Sequence, residues 1–136
     1  PTSVTLIGES AFFDCTQLQE IEIPTDSKLQ TIEKYAFSQS KIKNIKIPSS
    51  VTLIGESAFF KCRQLQKIEI PNDSKLQTIE KYAFSQSKIE CIIIPSSVIL
   101  IGEGSFSQCR QLQEIEIPND SKLQIIDKKS ILLFSN

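Results

Sequence analysis

The 136-residue chain contains no histidine, no tryptophan and no methionine, and the first of these absences excludes several kinds of active site. Without histidine there is no Ser-His-Asp or Cys-His catalytic pair, no histidine-ligated zinc or haem, and no imidazole that titrates near neutral pH. Carboxylate pairs such as Glu20 and Glu22 are expected on an open face, where nothing apolar prepares one of them for acid-base catalysis. The sequence therefore predicts no enzymatic activity and no cofactor.

An excess of charge of one sign is also missing, because 15 Lys and Arg residues nearly cancel 16 Asp and Glu residues to leave a net charge of -1. Contacts to nucleic-acid phosphates need a clear excess of Lys and Arg on one face, so the composition predicts no nucleic-acid partner. No apolar run approaches the roughly 18 residues of a membrane helix, which predicts no membrane insertion within this segment.

The start of the chain lacks an initiator methionine and the charged and apolar regions of a signal peptide. It opens with Pro1-Thr2-Ser3-Val4, which matches residues 48–51 and 95–98. The chain is therefore expected to begin inside a longer repeat array, with any targeting signal outside this segment.

A repeat of 47 residues organises the chain, since residues 4–50 align with residues 51–97 and a third copy starts at Val98. Each copy divides again, which predicts a unit of 23 or 24 residues. A fixed period of this length is typical of a solenoid, whose units bury apolar residues only by stacking on neighbours. We expect one solenoid over residues 1–136, with five regular repeats and an irregular sixth. The first two copies differ at seven positions: Asp14/Lys61, Thr16/Arg63, Glu20/Lys67, Thr25/Asn72, Lys43/Glu90, Asn44/Cys91 and Lys46/Ile93.

One strand is predicted in each unit, because Ile21-Glu22-Ile23 alternates apolar and charged residues and is followed by Pro24, which cannot donate to a ladder. The return path between successive strands is long enough to require a parallel sheet, with irregular or short helical turns on the way back. A spine of phenylalanines is expected opposite the sheet, at Phe12, Phe37, Phe59, Phe84 and Phe106. The predicted strands span residues 18–23, 42–47, 65–70, 89–94 and 112–117.

Several positions of the pattern L-x-x-I-x-x-x-A-F-x-x-C-x-x-L-x-x-I-x-I-P recur together in five units, and the pattern resembles the BspA-type leucine-rich repeat of bacterial surface proteins and parasitic protozoa. This resemblance implies a leucine-rich-repeat solenoid in a cell-surface or secreted protein that acts in adhesion or host interaction. The sixth unit departs from the pattern at residues 130–134, where an irregular rung is expected. The column that holds an asparagine ladder in the usual leucine-rich repeat carries other side chains here that can bond nearby backbone: Asp26, Ser50, Asp73, Ser97 and Asp120.

The four cysteines are predicted to be free. Cys15, Cys62 and Cys109 recur two rungs apart, at about 10 Å, which exceeds the ~7 Å Cα separation that a disulfide allows. We expect these three to be buried small hydrophobes and, without histidine or a C-x-x-C motif, to bind no metal. Cys91 is expected at an outward strand position, exposed to solvent.

The outward face of the strands is the predicted binding site, because the curvature of a solenoid makes an extended concave surface there. Cys91 and Ile93 on this face are either an apolar hot spot for a partner or ordinary surface drift. Neighbouring Glu and Lys rungs are expected to pair across strands. The lysines at positions 28, 75 and 122, and at 34, 81 and 128, alternate with Glu33, Glu80 and Asp127, which predicts a solvated flank. The candidate site residues are Glu20, Glu22, Asn44, Lys46, Lys67, Glu69, Cys91, Ile93, Glu114 and Glu116.

Two functional hypotheses remain open. One is recognition of a protein or other surface macromolecule on this face, and the other is a structural spacer or self-associating array. Bare apolar residues at both ends, Val4, Ile7 and Phe12 at one and residues 131–134 at the other, make end-to-end association a possible outcome. Asn72 and Asn119 each begin an N-glycosylation tripeptide.

Overall fold

The computed structural model describes residues 1–126, and these form a parallel solenoid whose described part contains strands and turns but no helix. The irregular alternative for the returns is therefore confirmed. The candidate features at Asp127, at Lys128 and in residues 130–134 lie outside the described residues. In chain order the strands are Leu6–Ile7 (β1), Thr31–Ile32 (β2), Asn44–Lys46 (β3), Leu53–Ile54 (β4), Lys67–Glu69 (β5), Thr78–Ile79 (β6), Cys91–Ile93 (β7), Leu100–Ile101 (β8), Glu114–Glu116 (β9) and Ile125–Ile126 (β10).

Four of the five strands predicted from the Ile-x-Ile pattern are present, as β3, β5, β7 and β9, and each is three residues long. They pair in parallel as β3 with β5 and β7 with β9. The prediction of a strand over 18–23 was wrong, because this segment makes only one bridge, from Glu20 to Asn44. Ile21 and Ile23 are only half-buried, so the first rung is held less tightly than its successors.

A second strand in each unit escaped the sequence analysis. It forms a six-stranded parallel sheet in the order β1-β2-β4-β6-β8-β10. Each of these strands has only two residues, too few for alternation to be seen in the sequence. Its register alternates: Leu6 pairs with Thr31, 25 residues later, and Thr31 pairs with Leu53, 22 residues later. The predicted spacing of 23 or 24 residues therefore holds for the pairing of β3 with β5 and of β7 with β9, but not in this six-stranded sheet.

A third set of hydrogen bonds runs through the returns and explains why they are not helical. The N–H groups of Ser10 and Phe12 donate to the carbonyls of Lys34 and Ala36 on the next rung, while the N–H group of Ala11, between them, closes a tight turn onto Gly8. This alternation places Ser10 in the left-handed region, at φ 58°, which an α-helix does not allow. The same geometry recurs at Tyr35, Ser57, Tyr82 and Gly104.

The core contains the predicted phenylalanine spine. Successive rings from Phe12 to Phe106 are stacked with centroids 5.2 to 5.7 Å apart and planes within 7° to 9° of parallel. Phe37, Phe59, Phe84 and Phe106 are fully buried. Because one ring from each rung contacts a ring from the next, the spine couples the repeats along the solenoid axis.

Two serines of the column expected to bond nearby backbone, Ser50 and Ser97, do so, whereas the aspartate positions differ. Ser50 Oγ donates to the carbonyl oxygen of Leu29 at 2.6 Å and lies 3.0 Å from the carbonyl oxygen of Ser27, and Ser97 Oγ likewise donates to the Leu76 carbonyl at 2.6 Å. In the rung of Asp26, however, the following Ser27 accepts the N–H of Leu29 at 3.0 Å. No buried side-chain nitrogen or oxygen in residues 1–126 lacks a hydrogen-bond partner.

All four cysteines are free. Cys62 and Cys109 are buried as predicted, but Cys15 is only half-buried because a single neighbouring rung covers it. The buried thiols are also more than small hydrophobes, since Cys62 Sγ donates to the Phe37 carbonyl at 3.0 Å and lies 3.7 Å from Ser40 Oγ. Burial raises the pKa of Cys62 to about 12, and burial also raises the pKa of Cys109.

Candidate binding face

The ladders of β3 with β5 and of β7 with β9 bring the predicted site residues into two columns. We call this surface the strand face. It opens outward because the central isoleucine of each strand, such as Ile45, is directed into the core. Asn44 pairs with Lys67 and Lys46 pairs with Glu69. On the later rungs the pairs are Cys91 with Glu114 and Ile93 with Glu116.

Charges on the middle of the strand face neutralise one another around Glu69. Its Oε1 lies 2.8 Å from Lys67 Nζ and its Oε2 lies 3.8 Å from Lys46 Nζ. The hydrogen bond from Lys67, with the charges of both lysines, lowers the pKa of Glu69, and the same contact raises the pKa of Lys67. The expected cross-strand pair forms between Lys46 and Glu69 but not between Glu22 and Lys46, and the shorter contact, from Lys67 to Glu69, lies within one strand. Both pairs are exposed, so we assign them little stability.

The last two described rungs of the strand face differ in chemistry from the middle. Ile93 is 49% exposed, and Cys91 beside it is exposed. Their ladder partners Glu114 and Glu116 form no ion pair with any residue of the described chain. The exposed side chains of β7 are therefore apolar, and those of the neighbouring β9 are two carboxylates without an ion-pair partner in the described chain.

The first three rungs of the strand face contain a shallow depression of about 810 Å³. Glu20, Glu22, Lys46, Lys67 and Glu69 line it. A volume of this size could hold several side chains of a partner. The described residues contain no cluster of three or more cysteine, aspartate or glutamate side chains placed to hold a metal ion. They also contain no helix long and apolar enough to cross a membrane.

Lys34 and Lys81 of the predicted flank lie on a mixed-charge surface, but they pair with Glu56. The carboxylates of Glu33 and Glu80 instead accept the backbone N–H groups of Glu9 and Glu56, at 3.0 and 2.9 Å. Glu56 carboxylate oxygens lie 3.8 Å from Lys34 Nζ and 3.8 Å from Lys81 Nζ. The asparagines of both glycosylation tripeptides, Asn72 and Asn119, are exposed.

The sequence analysis missed a second candidate surface, a row of cations on a neighbouring edge of the solenoid. Ser40, Cys62, Ser87 and Cys109 occupy equivalent positions on successive rungs, and we call them the Cys/Ser column. An exposed cation directly follows each of them: Lys41, Arg63, Lys88 and Arg110. Two of the seven differences between the copies, Asp14/Lys61 and Thr16/Arg63, fall on this edge. These two differences were the available signal, but a net charge averaged over the whole chain concealed it.

Comparison with known proteins agrees with this architecture. Residues 1–90 and 30–132 match the BspA-type leucine-rich-repeat region, with six copies of the repeat. The chain belongs to the BspA-type leucine-rich-repeat family. A comparison with curated proteins found no match.

Two solved structures resemble this family member over most of its length. A leucine-rich cell-surface protein of Faecalibacterium prausnitzii is 30% identical, with a TM-score of 0.74 over 88% of this chain and 30% of its own. The pneumococcal vaccine antigen PcpA is 31% identical, with a TM-score of 0.68 over 70% of this chain and 24% of its own. The chain thus spans less than a third of either protein.

Proposed function

We propose that this chain is a recognition module of a cell-surface or secreted protein and that it binds a macromolecular partner through the strand face. Support for the location comes from the similar structures, one described as a cell-surface protein and one as a vaccine antigen. Support for the mode of action comes from the repeat architecture, because stacked repeats present one extended surface without needing a catalytic site.

The observation that carries this proposal is the contrast between equivalent positions of β3 and β7. Both strands bury their central isoleucine and pair in the same register with the next strand. Yet Lys46, which pairs with Glu69, is replaced by Ile93, which is 49% exposed. The scaffold is held constant while the exposed chemistry changes, as expected of a surface adapted to a partner.

The chemistry of the later rungs indicates what the partner presents. Cys91 and Ile93 offer an apolar step, and Glu114 and Glu116 next to it offer two carboxylates without an ion pair in the described chain. An apolar side chain flanked by lysine or arginine would fill this step and neutralise the carboxylates. Burying a fully exposed aliphatic side chain contributes about 1.5–3 kcal/mol, so Ile93, which is 49% exposed, would contribute about half of that. Interface energies concentrate in a few such anchors.

The chain itself supplies variants that test this proposal without disturbing the fold. Lys67→Glu, Cys91→Asn and Ile93→Lys each introduce the residue found 47 positions earlier, at Glu20, Asn44 and Lys46. We call this triple substitution the face variant. A matched control, the flank variant, replaces three exposed lysines away from the strand face by glutamine: Lys28, Lys75 and Lys122.

The experiment captures proteins from a cell-surface extract on the immobilised wild-type chain and then titrates the captured partner against both variants. We expect the face variant to bind at least tenfold more weakly, the flank variant to bind like the wild type, and all three to unfold at the same urea concentration. Equal binding by the face variant would contradict the proposal and favour a spacer or self-associating array, which tolerates surface changes.

A further inference from the structure

The edge of the solenoid beside the Cys/Ser column carries a row of cations that the strand face does not use. We call it the basic ridge, and its members are Lys41, Lys61, Arg63, Lys88 and Arg110. Four of them follow residues whose side chains contact one another across rungs, since Ser40 Oγ lies 3.7 Å from Cys62 Sγ and Ser87 Oγ lies 3.4 Å from Cys109 Sγ. One cation therefore projects from each of four consecutive rungs.

The spacing of the basic ridge follows from the stacking of the rungs. Neighbouring Phe rings are 5.2 to 5.7 Å apart, which agrees with the strand spacing of about 4.8 Å. The backbone positions of Lys41, Arg63, Lys88 and Arg110 are therefore about 5 Å apart from one rung to the next, and the row is about 15 Å long. Lys61 adds a fifth, with its ammonium 5.3 Å from the centroid of the Phe60 ring.

The charges of the basic ridge are not neutralised within the described chain. None of its five cations forms an ion pair with a residue of the 1–126 segment. Two acidic residues lie close to the ridge residues in the sequence. Asp14 lines the depression at the start of the ridge, and Glu90 is separated from Lys88 by the buried Ile89. The predicted flank differs, because its Lys34 and Lys81 share Glu56. A local excess of positive charge therefore coexists with a net charge of -1.

Neutral hydrogen-bonding groups lie between these cations. Two shallow depressions follow the ridge and share Arg63, the first lined also by Gln39 and the second by Gln86 and Gln108. Arg63 Nη2 donates to Gln86 Oε1 at 3.4 Å, a weak contact that leaves most guanidinium donors available. Amides alternating with cations suit a ligand that alternates hydroxyl groups with anionic groups.

We propose that the basic ridge binds a linear polysaccharide that carries sulfate or carboxylate groups. Its extended row of cations matches a linear polyanion, and its amides match sugar hydroxyls. Single-stranded nucleic acid is less well matched, because it binds by stacking successive bases on a series of exposed aromatic rings. Beside the ridge the column of Phe60 offers only Phe13, 45% exposed, and Phe60 itself, half-buried beneath Lys61, before it continues as Ser85 and Ser107. This surface is separate from the strand face, so the inference does not depend on the proposed function.

Equivalent positions of the 47-residue copies again supply substitutions that the fold already accepts. Lys61→Gln introduces the residue present at Gln108, and Arg63→Thr and Arg110→Thr introduce the residue present at Thr16. This ridge variant removes three positive charges, as the flank variant does. A difference between the two variants therefore reports where the charges lie and not how many there are.

The test measures the affinity of the wild-type chain and both variants for heparin, hyaluronan, uncharged dextran and a 30-base mixed-sequence single-stranded DNA, from 50 to 300 mM NaCl. Heparin supplies sulfates and hyaluronan supplies only carboxylates, so the two arms distinguish the anionic group. We expect binding to one or both and none to dextran. The ridge variant should bind about tenfold or more weakly at 100 mM salt, with the slope of log Kd against log salt reduced by roughly 2 to 3. The flank variant should bind like the wild type.

Three results would overturn the inference. Absence of binding to both anionic polysaccharides would remove it outright. Tighter binding to DNA than to either polysaccharide would assign the ridge to nucleic acid. Equal weakening by the ridge and flank variants would show a nonspecific charge effect. Circular dichroism of each variant confirms that the fold is intact in every arm.

Discussion

Replacing Phe59 by alanine removes a central ring of the phenylalanine spine. The Phe59 side chain is fully buried, and its ring is stacked between Phe37 at 5.2 Å and Phe84 at 5.3 Å. A buried Phe-to-Ala change costs about 3–5 kcal/mol, because transfer energy is lost and a cavity remains. Each stacked pair contributes about 0.5–1.5 kcal/mol beyond burial. A Phe59→Leu variant, which keeps most of the apolar volume but loses both stacks, should fall between wild type and Phe59→Ala.

The neighbouring Phe60 is the matched control for this change. Its column contains Ser38, Ser85 and Ser107, and its ring is only half-buried beneath Lys61. Urea unfolding at 25 °C, followed by far-ultraviolet circular dichroism, should show a loss of about 3–5 kcal/mol for Phe59→Ala and a much smaller loss for Phe60→Ser. Equal losses would refute the assignment of which side chain faces the core.

Three further outcomes are expected. Cys91 should react rapidly with a thiol reagent in the folded chain, and mass spectrometry should find Cys62 modified only after denaturation, because the first thiol is exposed and the second is buried. Burial raises the pKa of Cys62 to about 12 from its ordinary value of 9.0. The free energy of unfolding should therefore fall as pH rises above 9, by up to about 1.4 kcal/mol per pH unit. A Cys62→Ser variant, tested by urea unfolding from pH 8 to 11, should lack this component. Gly55→Ala should destabilise the chain by about 1–3 kcal/mol because a Cβ there would lie 2.8 Å from the Glu33 backbone, whereas Gly8→Ala, with nothing within 4 Å, should not; equal melting temperatures for the two would contradict the close packing of the rungs.

The repeat architecture, the phenylalanine spine and four of the strands could be predicted from the sequence because each leaves a column of one residue type. Ile-x-Ile before proline is a strand signal in a single unit, and its recurrence in five units removes the ambiguity of a short run. Burial of Phe59 followed from its repetition in every unit. Exposure of Cys91 followed from its replacement of Asn44 in the earlier copy.

The remaining features depend on interactions between rungs, which a single unit does not show. The six-stranded sheet is built from two-residue strands such as Thr31–Ile32, too short for a periodic signal. The left-handed residues, such as Tyr35 at φ 59°, are stabilised by hydrogen bonds to the next rung and not by their own type. The basic ridge emerges only after Lys41 and Arg63 are placed on adjacent rungs, because they belong to units of different length.

The most direct test of the central claim, that a fixed scaffold carries separable recognition surfaces, measures two ligands against two variants. Isothermal titration would compare the captured protein partner and the polysaccharide that the wild-type chain binds more tightly, heparin or hyaluronan, on the wild-type chain, the face variant and the ridge variant. We expect the face variant to lose at least tenfold in affinity for the protein and to retain the polysaccharide, and the ridge variant to show the reverse. Loss of both ligands in either variant, or of neither in both, would contradict the account.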